Sequence, residues 1–354
     1  MSFSPNQPRF RYLGPGLVLG GLYLLATLAK GQAHKPQARI FPSSAKPVAV
    51  FTGGVGSVCE GPAMSPDGRV LFTDVTTAGT GGLIWAYNTK TGQTSQLLAP
   101  SGNASGLAFD AAGDLFLAEG PNGGGKRITK LHLSTGRRTT LADSFQGKPL
   151  NGPNDLTLDA QGRVYFTDSR YQSTEPLDQP WMGVYRIDTT GAVQLLAADV
   201  TRPNGLAFSP DQRTLYVGSY DSPGVGIYGA LPADYTGPAP QLSGEIRVYA
   251  VLPDGRLAFR RQLMQFRREG PDGLTVDAAG NIYAAVATRI VVCSPQGKLV
   301  AELKLPPGEK KVTNLCFGHG EYRTTLFITA TKTLYTLQTS AEGVLPPLQS
   351  HSKK

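Results

Sequence analysis

The chain has 354 residues, of which Gly (43) and Pro (27) together form about a fifth, as expected of many short strands joined by turns and below the level that signals disorder. The formal net charge of +8 is carried largely by the ends: Arg9, Arg11, Lys30 and Lys35 lie in an acid-free start, and Lys353 and Lys354 close the chain. The body is therefore almost neutral and has no Lys/Arg run interleaved with aromatics, which excludes a nucleic-acid footprint.

The chain opens on a basic head followed by 17 uncharged residues, Leu13 to Ala29, and then small residues at Gly31 and Ala33. This pattern predicts a secretory signal over residues 1–33, cleaved near Ala33, or an uncleaved anchor in which residues 13–29 span a bilayer. Either reading places the body outside the cytoplasm, periplasmic or secreted. A membrane partner enters only if the segment stays on. Residues 34–45 read as a linker and 341–354 as a tail.

Between them the same unit recurs. GPAMSPDGRVLFTDV begins at Gly61, GLAFDAAGDLFLAEG at Gly106, DLTLDAQGRVYFTDS at Asp155, GLAFSPDQRTLYVGS at Gly205, GLTVDAAGNIYAAV at Gly273 and NLCFGHGEYRTTLFITA at Asn314. Each is an alternating strand, a turn rich in Asp, Gly and Ala, and a second apolar strand. Their starts lie 45, 49, 50, 68 and 41 residues apart, and further strand patterns follow at 82–99, 127–142 and 183–197. A period of 40 to 50 residues with about four strands per unit is the mark of a propeller blade. The predicted fold is all-β, a single six-bladed β-propeller over residues 46–340. The 68-residue interval holds a Pro/Gly-rich stretch, 229–244, expected as a long loop on one face.

The residue before each first strand, in order, is Glu60, Ser105, Asn154, Asn204, Asp272 and Thr313. In a propeller the innermost strands run along the central channel, so equivalent positions approach one axis at one height. Glu60, Asn154, Asn204 and Asp272 then supply two carboxylates and two amide carbonyls. Hard oxygen donors without His or Cys favour Ca²⁺, with Zn²⁺ or Mg²⁺ as other divalent candidates, and a divalent cation offsets two carboxylates that would otherwise meet in a desolvated channel. The three cysteines, Cys59, Cys293 and Cys316, have no metal-ligand spacing; they read as small buried residues, with a Cys293–Cys316 disulfide as the alternative. No GxSxG occurs, and the four histidines are scattered, which argues against a Ser-His-Asp triad.

LADSFQGKPLNGPNDLTLDAQGRVYFTDSRY (141–171), with RPNGLAFSPDQRTLYV, GPDGLTVDAAGNIYAA and TNLCFGHGEYRTTLFITATKTLYTL, resembles the senescence marker protein/gluconolactonase (regucalcin-like) family over residues 46–340. The resemblance implies a calcium-dependent hydrolase that opens a sugar lactone, a small-molecule substrate, to its hydroxy acid. It also implies metal ligands at Glu60, Asn154, Asn204 and Asp272, with Asp272 doubling as catalytic acid/base. Two departures bear on substrate: a glycine-rich loop, 118–131, stands where family members often carry Glu-His-Gly, and Gly152 stands where some carry Arg. Ser105, Glu119, Arg127, Arg170 and Tyr171 are the candidate substrate contacts, with Asp168 and Tyr220 near them in the pattern. Phosphotriester hydrolysis on the same ion and a non-catalytic, calcium-stabilised binding propeller are the alternative functions.

Overall fold

In the computed structural model of the chain, each sequence repeat becomes a four-stranded antiparallel sheet, because its alternating strands are short enough to be joined by tight turns yet cannot bury their apolar faces alone. The structure describes residues 39–171, 173, 175–221, 234–238 and 243–344. The expected leader, 1–33, lies outside the described residues, as do the start of the linker, most of the tail and most of the 229–244 insertion. That insertion joins the second and third strands of the fourth blade.

Blade 1 comprises Val58–Met64, Arg69–Val75, Leu83–Asn88 and Thr94–Leu98; blade 2, Ala104–Phe109, Leu115–Glu119, Arg127–His132 and Arg137–Ala142. Blade 3 comprises Pro153–Leu158, Val164–Asp168, Gly183–Ile187 and Val193–Ala197; blade 4, Pro203–Phe208, Thr214–Asp221, Ser243–Val251 and Leu257–Arg267. Blade 5 comprises Pro271–Val276, Ile282–Val286, Arg289–Cys293 and Leu299–Lys304. Blade 6 takes Val312–Phe317, Thr325–Ala330 and Thr333–Gln338, and borrows its outermost strand, Val48–Thr52, from the other end of the propeller. Pairing of Val48 with Thr336 and of Thr52 with Thr333 closes the ring through hydrogen bonds, leaving no open edge between first and last blade.

Adjacent blades are glued by apolar faces that neither sheet could bury by itself. Phe116, Ala118 and Ile128 of blade 2 pack on Leu156, Phe166 and Tyr185 of blade 3, and Tyr165 of blade 3 meets Phe208 of blade 4 edge-on with ring centroids 5.0 Å apart. All three cysteines are free thiols. Cys293 is buried in the layer between blades 4 and 5, whereas Cys59 and the partly buried Cys316 belong to the layer between blades 1 and 6, so the disulfide alternative does not form.

The axial residues do not precede the inner strands, as the sequence reading has it, but lie inside them. In blade 3, Pro153 pairs with Asp168 and Leu156 with Phe166, so Asn154 and Asp155 together oppose the single residue Thr167. Ser105 with Gly106, Asn204 with Gly205, and Asp272 with Gly273 occupy the same two-against-one bulge, and in blade 1 the bulge follows Glu60. A bulge kinks the strand and re-aims one side chain without ending the ladder, which is how an extended strand can present a ligand-like side chain to the axis.

The second bulge residue faces the neighbouring inner strand. A Cβ on Gly205 would lie 2.5 Å from the Asp272 carbonyl oxygen, and one on Gly273 would lie 2.0 Å from Asn314 Oδ1. Blades 3 and 6 carry Asp155 and Asn314 there instead. These two come from opposite sides of the ring and meet across it, Asn314 Nδ2 donating to Asp155 Oδ2 at 3.4 Å.

Candidate active site in the axial channel

In blades 1 and 3 the segment that enters the inner strand is held by a carboxylate at the end of the second strand. The Asn151 and Gly152 N–H groups donate to Asp168 at 2.9 and 2.7 Å, which fixes the turn immediately before Pro153 and Asn154. In blade 1 the Val55 and Gly56 N–H groups donate to Asp74 at 2.7 and 2.9 Å, ahead of Glu60. The repeated Phe-Thr-Asp ending of the second strand is therefore a backbone clamp. Asp168 is fully committed to it and does not face the channel contents; burial pushes its carboxyl up to about 6 against the pull of the two N–H donors.

Glu60, Ser105, Asn154, Asn204 and Asp272 line one cavity on the axis, together with Tyr171. Glu60, Asn204 and Asp272 are 5 %, 2 % and 3 % exposed, while Asn154 is half-buried. Five of the six axial positions thus converge. The sixth, Thr313, turns its hydroxyl to the Cys59 carbonyl at 2.6 Å and to the second strand of its own blade. Among the described residues no three His, Cys, Asp or Glu side chains form a metal-holding group, so any cation site here depends on the amide oxygens as well as the two carboxylates.

The electrostatics of the cavity are those of a charged pair removed from water. Burial, followed by the negative field of Asp272, holds the Glu60 carboxyl well above the usual carboxylate range, with Lys311 working in the opposite direction. Lys311 Nζ lies 2.5 Å from Asp272 Oδ2 and 5.2 Å from the centroid of the Tyr220 ring. Burial acts to lower the Lys311 ammonium pKa, but the Asp272 carboxylate, with Glu60 adding to it, more than compensates and leaves it raised. Beneath this layer burial pushes Asp155 up to about 7.

Three expected substrate contacts are not in the cavity lining. Glu119 is completely buried between the sheets, accepts from Thr129 Oγ1 at 2.6 Å, and pairs with Arg127 at 3.0 Å and Arg138 at 2.7 Å. That network occupies the Arg127 guanidinium too. Arg170 takes a positive φ of 35°, buries its side chain and donates to the Glu175 carbonyl, while its own carbonyl accepts from Arg202. Strand-end position alone does not say what a side chain meets, and here Glu119 and Arg127 meet each other across two strands of blade 2 while Arg170 meets the loop that follows it.

Sequence reasoning missed Lys311 and Asn103. Each lies two residues before an axial position, Thr313 and Ser105, in the register that holds Gly152, Arg202 and Gly270 elsewhere. That register was the available signal. Asn103 accepts from the Thr76 N–H at 2.9 Å and donates to the Thr76 and Pro121 carbonyls, pinning the glycine-rich loop whose residues Gly120, Pro121 and Asn122 form one wall of the cavity. Lys311 follows Glu309 and Lys310 and reads, locally, as part of a solvated charged turn.

A family model described as the SMP-30/gluconolactonase/LRE-like region matches residues 58–332. A gluconolactonase of Zymomonas mobilis is 29% identical over 343 residues, covering 90% of this chain and 88% of that protein. The structure of a Xanthomonas campestris gluconolactonase superposes with a TM-score of 0.70 at 27% identity, covering 85% of this chain and 91% of that one. Regucalcin from Agrobacterium tumefaciens, described as a calcium-binding protein, superposes with a TM-score of 0.65, covering 88% of this chain and 99% of that one; at 18% identity the likeness is one of fold.

Proposed function

The chain belongs to the SMP-30/gluconolactonase/LRE-like family and is a lactone-hydrolysing enzyme, and from that premise we propose that it opens an aldonolactone such as gluconolactone at the axial cavity with a divalent cation, Ca²⁺, as cofactor. The observation that carries this reading is the convergence of two buried carboxylates, Glu60 and Asp272, with two amides, Asn154 and Asn204, on one cavity. The donor set fits a hard cation. It offers neither His nor thiolate, and like-charged carboxylates out of water favour a compensating positive charge. Glu60, Asn154, Asn204 and Asp272 would hold the ion, which when bound supplies a Lewis-acidic charge for the lactone carbonyl oxygen.

The remaining work falls to the chain. Asp272 takes the proton of the attacking water as its oxygen bonds to the carbonyl carbon. The bond from that carbon to the ring oxygen then breaks, and the proton returns to the ring oxygen, leaving the hydroxy acid. Ser105, Tyr171 and the wall formed by residues 120–122 surround the cavity and set the space available to the sugar ring. The buried clamps of Asp74 and Asp168 keep the strands that carry Glu60 and Asn154 in place without rearrangement during the reaction.

The test is lactone hydrolysis followed by acid release, corrected for spontaneous opening, before and after verified metal removal. Activity should vanish with the metal and return with added Ca²⁺, with Mg²⁺ and Zn²⁺ compared alongside. Full activity in metal-free protein sinks the cofactor assignment. Absence of hydrolysis across a panel of five- and six-membered lactones sinks the substrate class.

A further inference from the structure

Lys311 places a positive charge where the proposed cofactor would need a carboxylate oxygen. Its Nζ lies 2.5 Å from Asp272 Oδ2, an oxygen with no hydrogen bond from any other donor, and Glu60 lies within electrostatic reach of the same ammonium. The backbone under it is pinned: the Thr331 N–H donates to the Lys311 carbonyl at 3.0 Å, and the Val312 N–H to the Ala287 carbonyl at 2.6 Å. The side chain is not pinned in the same way. It is 29% exposed, stands over the face of Tyr220, and has four rotatable carbons between the fixed backbone and the charge.

We propose that Lys311 is a resident counter-cation that offsets the Asp272 carboxylate in the metal-free protein and must withdraw from Asp272 before a divalent ion can use that oxygen. The inference rests on the reading of the cavity as an ion site. An ammonium 2.5 Å from Oδ2 and a cation coordinated by Oδ2 cannot share one position, so occupancy by one excludes the other. Without Lys311 the metal-free ring would hold the buried Asp272 carboxylate with no compensating charge, a condition that costs far more than loss of an exposed pair. Binding of the ion is thus an exchange of one cation for another. The ammonium sets how tightly the ion is held and how stable the empty fold is.

The experiment uses the purified full chain, stripped of metal, with CaCl₂ as the calorimetric titrant and thermal melts recorded with and without it. Lys311→Met keeps the stem over Tyr220 and removes the charge. Its calcium Kd should fall about tenfold or more, equivalent to about 1.4 kcal/mol. Its metal-free melting temperature should drop by about 3 °C or more while the calcium-loaded value stays within about 1 °C of wild type. Lys311→Arg keeps the charge and should stay near wild type in both measurements. Lys311→Gln, which retains a polar contact for Asp272, should shift in the same direction as Met and serves if the Met protein does not fold. Unchanged or weaker calcium binding in the Met and Gln variants overturns the proposal, as does an equal drop in melting temperature in both metal states, which marks a purely structural ion pair. A wild-type chain that takes up no divalent ion defeats the ion-site reading itself. Binding by wild type with no gain in the variants defeats only the competition.

Discussion

Replacing Asp272 by Asn separates the two roles proposed for it. The residue is 3 % exposed and pairs with Lys311 at 2.5 Å, so the substitution preserves shape and one carbonyl oxygen while deleting a buried negative charge. When a divalent ion takes the place of a monovalent ammonium, the net gain at this carboxylate is one unit of charge. For unit charges 4 Å apart at an effective dielectric of about 20, that interaction is about 4 kcal/mol. Calcium affinity should therefore weaken by up to about three decades at 1.4 kcal/mol per decade. Loss of the base costs turnover a further factor of about 10² to 10⁴ that added metal cannot restore. Initial rates of gluconolactone hydrolysis, measured as calcium is raised to saturation, divide the two effects: the first moves the calcium midpoint and the second lowers the plateau. Asn204→Asp is the counterpart. It adds a charge to the same ring, so its calcium midpoint should fall while some turnover remains. A plateau for Asp272→Asn near the wild-type rate would refute the role of Asp272 as base and move the search to Glu60.

Glu119→Gln, which leaves Arg127 and Arg138 around a neutral buried group, should lower unfolding free energy by roughly 3 kcal/mol in urea titrations while kcat at low temperature stays within about threefold of wild type; an unchanged midpoint with lost activity would return Glu119 to the site. Asp155, raised to about 7 from an ordinary 3.8, holds a proton in the native state that the unfolded chain has already released, so it contributes stability at low pH that is lost as pH rises from about 4 to 7. Asp155→Asn should flatten that decline in the metal-free protein, and urea midpoints that still fall as steeply between about pH 4 and pH 7 would refute it. We propose that the leader pattern of residues 1–33 exports the enzyme: fractionation of cells expressing the full chain should find the activity in the periplasmic, membrane-anchored or secreted pool, and recovery in the cytosol alone would overturn that proposal.

Six blades and five of the cavity's oxygen-bearing side chains were legible in the sequence because both are matters of local register. A strand of period two, followed by the same turn, fixes which face each residue takes. When the pattern recurs six times, equivalent residues such as Asn154, Asn204 and Asp272 must approach the same axis. What a side chain meets across the ring is not local. The closing strand Val48–Thr52 is half-exposed and unremarkable by pattern, and only its pairing with Thr333–Gln338 makes it part of blade 6. Glu119 and Arg127 oppose each other on neighbouring strands of blade 2, and only the pairing of those strands turns each toward the other's charge instead of the channel. Lys311 reads locally as a solvated lysine beside Lys310, and Asp155 and Asn314 read as the first residues of their strands. Ring closure brings the ammonium to Asp272 and joins the other two across the channel, because contacts between blades depend on how many sheets close the circle and at what height each inner strand enters it.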